Sequence, residues 1–179
     1  SFEGTFLEAT NNFDHLIITA GVGFNTPFLD AEWCDMQDVI QINLINQIKL
    51  IHQLLRADRI KSTVTLVGSV WGHTTTSGRL AYSISKAGII MAVKSLSTEL
   101  SAQKIRVNGV SPGFVDSQMT RANLGVAGIE SIVKQIPNGL LAKTEDVSRT
   151  IKFLISDDAA YINGAVINID GGFLSARTY

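Results

Sequence analysis

Short, apolar-rich runs alternate with stretches carrying a helical repeat, and this pattern limits the folds open to the chain. His15 to Thr19, Thr63 to Val67, Lys104 to Val110 and Ala165 to Ile169 read as strands. Strands without polar alternation are buried on both faces, as in a parallel sheet covered by helices. Between them, Asp35 to Ala57 places Met36, Val39, Ile40, Ile48, Ile51 and Leu55 three or four apart, and Leu80 to Ser101 reads as a second long helix. Phe2 to Asn11 reads as a short helix, and Thr144 to Ile155 as another, with Thr144 as N-cap and Glu145 and Asp146 in its first turn. Gly21 to Asp30, Trp71 to Gly78 and Phe114 to Thr144 read as loop, the last with short helices. The expectation is an α/β chain: a Rossmann-like, doubly wound parallel sheet.

In such sheets the ligand sits at the carboxyl ends of the strands. Here those ends are small: Ala20-Gly21, Gly68-Ser69 and Ser111-Pro112-Gly113. Small residues let a ligand approach the backbone. With 179 residues the chain has the size of one domain. A formal charge of -1, with basic residues scattered, gives no electrostatic reason to expect nucleic acid or an anionic membrane as partner. No apolar run reaches the ~20 residues of a membrane span. One cysteine, Cys34, builds no disulfide framework, so the expected setting is intracellular and cytoplasmic. Glu32, Asp35 and Asp38 around it disfavour a thiolate. No metal site is expected.

Chemistry is concentrated in a few positions. Tyr82 and Lys86 lie four apart near a helix start, hence on one face. A free phenol, with pKa about 10, is a poor acid or base at neutral pH, and a nearby ammonium lowers that value. Ser69 sits just past a strand end, where its hydroxyl can meet a carbonyl oxygen beside the tyrosine; a turn or N-cap serine is the plainer alternative. Asn43 falls on the apolar stripe of its helix between Val39/Ile40 and Gln47. A buried amide needs partners, either nearby backbone or a water on a proton path to Lys86.

Gly-Ser-Val at 68–70, Tyr82-Ser-Ile-Ser-Lys86-Ala-Gly, Arg106-Val-Asn108, Ser111-Pro-Gly-Phe-Val-Asp-Ser117-Gln-Met119 and Asn168-Ile-Asp170-Gly-Gly together resemble the short-chain dehydrogenase/reductase family, over the whole chain and in one order. Within it the chain looks most similar to the 3-oxoacyl-acyl carrier protein reductase type. The resemblance implies NAD(P)-dependent interconversion of a carbonyl and a secondary alcohol. Tyr82 then exchanges the proton, Lys86 lowers its pKa and bonds the nicotinamide ribose, Ser69 orients the carbonyl, and Asn43 completes a water relay. It further implies that Thr19, Ala20, Gly21, Pro112, Gly113 and Val115 border the cofactor and that the Ser117 hydroxyl meets its carboxamide. Ser69, Trp71, His73 and Tyr82 then border the substrate, although His73 also reads as an ordinary loop histidine. Asn108 is expected to brace backbone. NADP is slightly favoured over NAD by the resemblance alone. The small-residue face of the Ser85 to Ser95 helix resembles the family's packing surface in a homodimer or homotetramer.

Departures accompany the match. Ile18-Thr19-Ala20-Gly21 stands where the family has Asn-Asn-Ala-Gly, and Leu140 where an Arg is common. The family's opening strand and Gly-rich turn, which holds pyrophosphate on a helix N-terminus, has no counterpart. Gly21-Val-Gly23 is followed by Pro27 rather than a helix. The chain, which opens on Ser1, therefore reads as the single C-terminal portion of such a domain, with three strands and roughly 60 to 70 residues expected upstream. His15 to Thr19 would then lie at an open sheet edge. The competing expectation is a catalytically silent, shortened relative that acts as a binding or assembly protein.

Overall fold

A computed structural model of the chain describes residues 12–176. The expected helix at 2–11 lies outside them. Strands β1 (Phe13–Ile18), β2 (Ile60–Val67), β3 (Arg106–Pro112) and β4 (Val166–Ile169) form one sheet in the order β1-β2-β3-β4. All neighbours are parallel, with Val64 beside Val107 and Val110 beside Ile167.

The strand sequences explain the layering. Thr63, Val64, Thr65 and Leu66 are buried in succession, as a central strand covered on both faces requires. Val64, Leu66 and Val107 pack on one face against Ile51 and Leu54 of α2 (Asn46–Arg56) and Ile89 and Val93 of α3 (Leu80–Glu99). Val110, an odd number of residues from Val107, points the other way and meets Ile151 and Leu154 of α5 (Thr144–Ile155). Helices thus cover both faces, as the sequence pattern predicts. β1 is an edge strand among the described residues, with Ile17 exposed.

Several boundaries differ from expectation. The helix expected over 35–57 is α1 (Trp33–Ile40) and α2, joined by a π-helical segment, Gln41–Ile45. Spacings of four keep Val39, Asn43 and Gln47 on one side of this run, so the wider turn leaves no mark on the pattern. The stretch expected to be loop with short helices contains α4 (Gln118–Val133), bent at Gly125, whose φ of 61° is left-handed. No residue of α4 is buried, so no apolar stripe betrays it. The N-cap of α5 is Lys143 rather than Thr144: the Lys143 N–H donates to the Asp146 carboxylate at 2.8 Å. β3 runs on through Ser111 and Pro112.

The Arg106-Val-Asn108 motif ties the second layer to the sheet. Arg106 donates to the carbonyls of Leu154 and Ser156 at the end of α5, at 2.8 and 3.0 Å. Asn108 donates to the Ile162 carbonyl and accepts from the Ala165 N–H, which fixes the entry to β4. This is the bracing role expected for it.

Candidate active site

The carboxyl ends of all four strands open on one rim, and the singled-out residues gather there. Residues 19–23 leave β1, Gly68 and Ser69 end β2, Gly113 ends β3, and Asp170 to Gly172 follow β4. α3 enters between the first two ends and delivers Tyr82 and Lys86 one turn apart.

Lys86 is buried, 4 % exposed, and its Nζ donates to the Val67 carbonyl at 2.8 Å. It has no acidic partner among the described residues, so burial pushes its pKa down to about 8. Its Nζ stands 5.7 Å from the Tyr82 ring centroid, and the Arg79 guanidinium lies at the same distance. The sequence predicts a phenol drawn down by the ammonium. Instead burial raises the Tyr82 pKa, while the Ser69 hydroxyl and the Arg79 charge pull more weakly the other way. Desolvation wins because neither cation forms a direct pair with the phenol oxygen.

Ser69 is buried, and its Oγ accepts from the Trp71 N–H at 3.2 Å, capping the turn Val70–Gly72. The Ser69 hydroxyl also pulls the Tyr82 pKa down, but the bond it makes is the turn cap to Trp71 and not one to the phenol. Asn43, in the π-helical segment, is fully buried. Its amide accepts from Val22 N–H and donates to Val22 O, both at 2.8 Å, and donates to Ser85 Oγ at 3.2 Å. π-helical turns are frequent at functional sites.

The loop after β1 needs its glycines for close approach. A Cβ at Gly23 would meet the Tyr82 ring at 2.9 Å, and one at Gly21 would lie 3.4 Å from Lys86 Nζ. Sequence reasoning considered Gly21-Val-Gly23 only as a phosphate loop, rejected it, and did not foresee that Gly23 lies against the Tyr82 ring. That rejection stands, since among the described residues no helix begins between Gly23 and Trp33.

Other candidates are arranged as follows. Trp71 meets Phe114 and Phe173 edge-to-face, each at 5.9 Å, and those two rings meet at 5.3 Å. The cluster links three strand ends into an apolar wall. Sequence reasoning named only Trp71, because ring contacts between separate loops leave no local signal. His73 is exposed and bonds Ser111 Oγ at 3.1 Å, which ties its loop to β3. Pro112 pairs beside Ile169, the Gly113 N–H donates to Ile169 O, and Val115 bridges to Ala142. Ser117 caps α4, accepting from the Thr120 N–H and donating to Thr120 Oγ1, both at 3.2 Å, so its hydroxyl is already engaged.

A nicotinamide fits this rim on the evidence of its residues. Two donors of Lys86 remain after the Val67 bond, and backbone without side chains flanks it at Gly21. The described residues supply no glycine turn leading into a helix for a pyrophosphate. No described helix is long and apolar enough to cross a membrane.

Comparison with known proteins agrees with the geometry. Residues 4–174 match the family model described as Enoyl-(Acyl carrier protein) reductase. Carbonyl reductase family member 4 of Xenopus tropicalis is 33% identical over 175 residues, covering 95% of this chain and 72% of that protein. The 3-oxoacyl-acyl-carrier-protein reductase FabG of Escherichia coli is 35% identical over 164 residues, covering 89% of this chain and 66% of the relative. The chain thus spans just under two thirds of that reductase. A solved 4-hydroxyisoleucine dehydrogenase complexed with NADH superposes with a TM-score of 0.86 at 30% identity, covering 92% of this chain and 69% of that one.

Proposed function

The chain belongs to the short-chain dehydrogenase/reductase family, and from that premise we propose that it interconverts a carbonyl and a secondary alcohol with NAD(P), Tyr82 exchanging the proton. One observation carries the proposal: the Ser69 hydroxyl, the Tyr82 phenol and a desolvated Lys86 without an acidic partner meet at one rim. Stability alone disfavours an unpaired buried lysine, and such groups cluster at functional sites.

In this reading the carbonyl oxygen accepts hydrogen bonds from Ser69 and Tyr82. The raised pKa of Tyr82 keeps the phenol protonated at neutral pH, the form a proton donor for reduction requires. When bound, the reduced nicotinamide supplies the hydride that adds to the carbonyl carbon. Tyr82 delivers the proton to the oxygen, completing the alcohol. With the donors left after its bond to Val67, Lys86 would hold the nicotinamide ribose, and it restores the phenol's proton. Asn43 fixes the loop beside Lys86; with both amide hydrogens given to Val22 O and Ser85 Oγ, its side chain has none left for a relay water. Pro112, Gly113 and Val115 would flank the nicotinamide, as would Thr19, Ala20 and Gly21.

The Trp71–Phe114–Phe173 wall favours an apolar substituent on the substrate. Exposed Ile84 and Met91 on the outer face of α3 support pairing of two copies there. The single cysteine suits a reducing, cytoplasmic setting.

Thermal melting of the intact protein with NADPH and with NADH tests the reading, followed by initial rates on a panel of ketones and β-ketoacyl thioesters. One cofactor should stabilise the fold by about 2.7 kcal/mol at a hundredfold excess over Kd, with the melting temperature rising as its concentration increases. Carbonyl-dependent oxidation of that cofactor should follow. If neither cofactor binds and no carbonyl is turned over, the proposal fails in favour of a silent binding relative.

A further inference from the structure

We propose that Gln47 is a positioning residue, whose side-chain amide holds the Ala20 carbonyl and so sets the loop 19–23 against Lys86 and Tyr82. Gln47 is 3% exposed and lies one turn after Asn43 on the side facing β1. Its Nε2 donates to Ala20 O at 2.8 Å. Asn43 holds Val22 by both its N–H and its carbonyl. The two amides thus grip the backbone on either side of Gly21, the residue that lies against Lys86 Nζ. Gly23, two residues on, sits against the Tyr82 ring.

The second atom of the amide makes a structural role insufficient. Gln47 Oε1 is buried and has no partner among the described residues. A buried acceptor left unmet costs stability, so an apolar side chain of equal length would serve packing better. The amide is therefore explained by what its other end holds.

The loop in turn shapes the surroundings of Lys86. The groups that face this ammonium are the Val67 carbonyl, the Tyr82 ring and the Gly21 backbone, none of them anionic. Releasing Ala20 loosens one side of that enclosure and admits water.

Gln47→Met in the full chain keeps the length and removes the donor. Lys86 is followed by NMR of lysines labelled at the ε carbon, its resonance identified with Lys86→Arg. The wild-type midpoint should lie near about 8, and in Q47M it should rise by a unit or more towards the ordinary lysine value. The melting temperature of Q47M should equal or exceed that of the wild type. An unmoved Lys86 midpoint in folded Q47M overturns the proposal, whether or not the melting temperature falls.

Gln47→Glu supplies an independent reading if Q47M does not fold. Its neutral acid keeps a donor for Ala20 O, and its carboxylate does not. Turnover in Q47E should approach wild type at acidic pH and fall roughly 10- to 100-fold as the acid ionises. Equal impairment at acidic and neutral pH overturns the proposal. The inference rests on the proposed function only for this turnover arm. A Lys86 midpoint that moves in a protein without carbonyl turnover supports the positioning role and removes the activity instead.

Discussion

The first turns of α3 and the whole of α4 rise from the same rim of the sheet, yet they are built in opposite ways. α3 buries Ala81, Ser85, Lys86, Ile89, Ile90, Val93 and Ser97. Its polar groups are matched: Ser85 donates to Tyr82 O and accepts from Asn43, and Lys86 donates to Val67 O. α4 buries nothing, bends at Gly125, and leaves Met119 and Val126 exposed. The groups assigned to proton transfer are held from several directions, whereas α4 is held mainly by its own cap. Substitution in α3 should therefore cost chemistry, and substitution in α4 should alter selectivity at little cost in stability.

The largest effect that sharpens this contrast is expected at Lys86. Lys86→Met should lower turnover by roughly 10²- to 10⁴-fold while raising stability at neutral pH. The sign follows from linkage. The folded pKa of about 8 lies below the ordinary lysine value of 10.5, so folding pays to keep the ammonium buried below pH 8. That cost amounts to roughly 3 kcal/mol and fades as pH rises from 8 toward 10.5. Tyr82, raised above its ordinary 10, acts in the opposite sense above that pH, so the clean window is pH 8 to 10. Urea unfolding across this window should show wild-type stability rising and the Lys86→Met curve flatter.

Asn43→Leu should come next. It strips both bonds from Val22 and one from Ser85, costing about 2–4 kcal/mol in chemical denaturation, with turnover lost alongside. Trp71→Ala removes two edge-to-face contacts, a loss of roughly 1–3 kcal/mol, and should raise KM for apolar carbonyls more than it lowers kcat. The smallest effect belongs to α4: Val126→Ser should move stability by less than about 0.5 kcal/mol and leave kcat unchanged on the best substrate. A cost above 2 kcal/mol there would break the contrast between the two helices.

The same contrast explains what could be read from sequence. β2 and α3 declare themselves because burial imposes a repeat: Val64 and Leu66 in succession on one face, Ala81, Ser85 and Ile89 four apart. The Ser69–Tyr82–Lys86 convergence follows from strand ends and helical spacing together. The short helical pieces that meet at Gly125 in α4 agree with the loop with short helices expected there; their bounds leave no mark because a helix with no buried side needs no apolar stripe. The Lys143 cap was missed because an extended lysine has no side-chain acceptor, and only Asp146 reaching back closes the turn. The direction of the Tyr82 shift was misread for a different reason. Spacing places Lys86 near the ring, but only the structure shows how much water both groups lose. Gln47 and Gly23 share that limit, since each meets a partner distant in sequence, Ala20 and Tyr82.

Tyr82→Phe gives the most direct test of proton transfer at this rim. It removes a single oxygen and keeps the ring that Gly23, Arg79 and Lys86 face. Cofactor affinity and carbonyl turnover should be measured side by side on wild type and variant. The account predicts unchanged cofactor binding with turnover reduced by at least about 10³-fold. Turnover within a few-fold of wild type would contradict it, and the proton would have to come from another group.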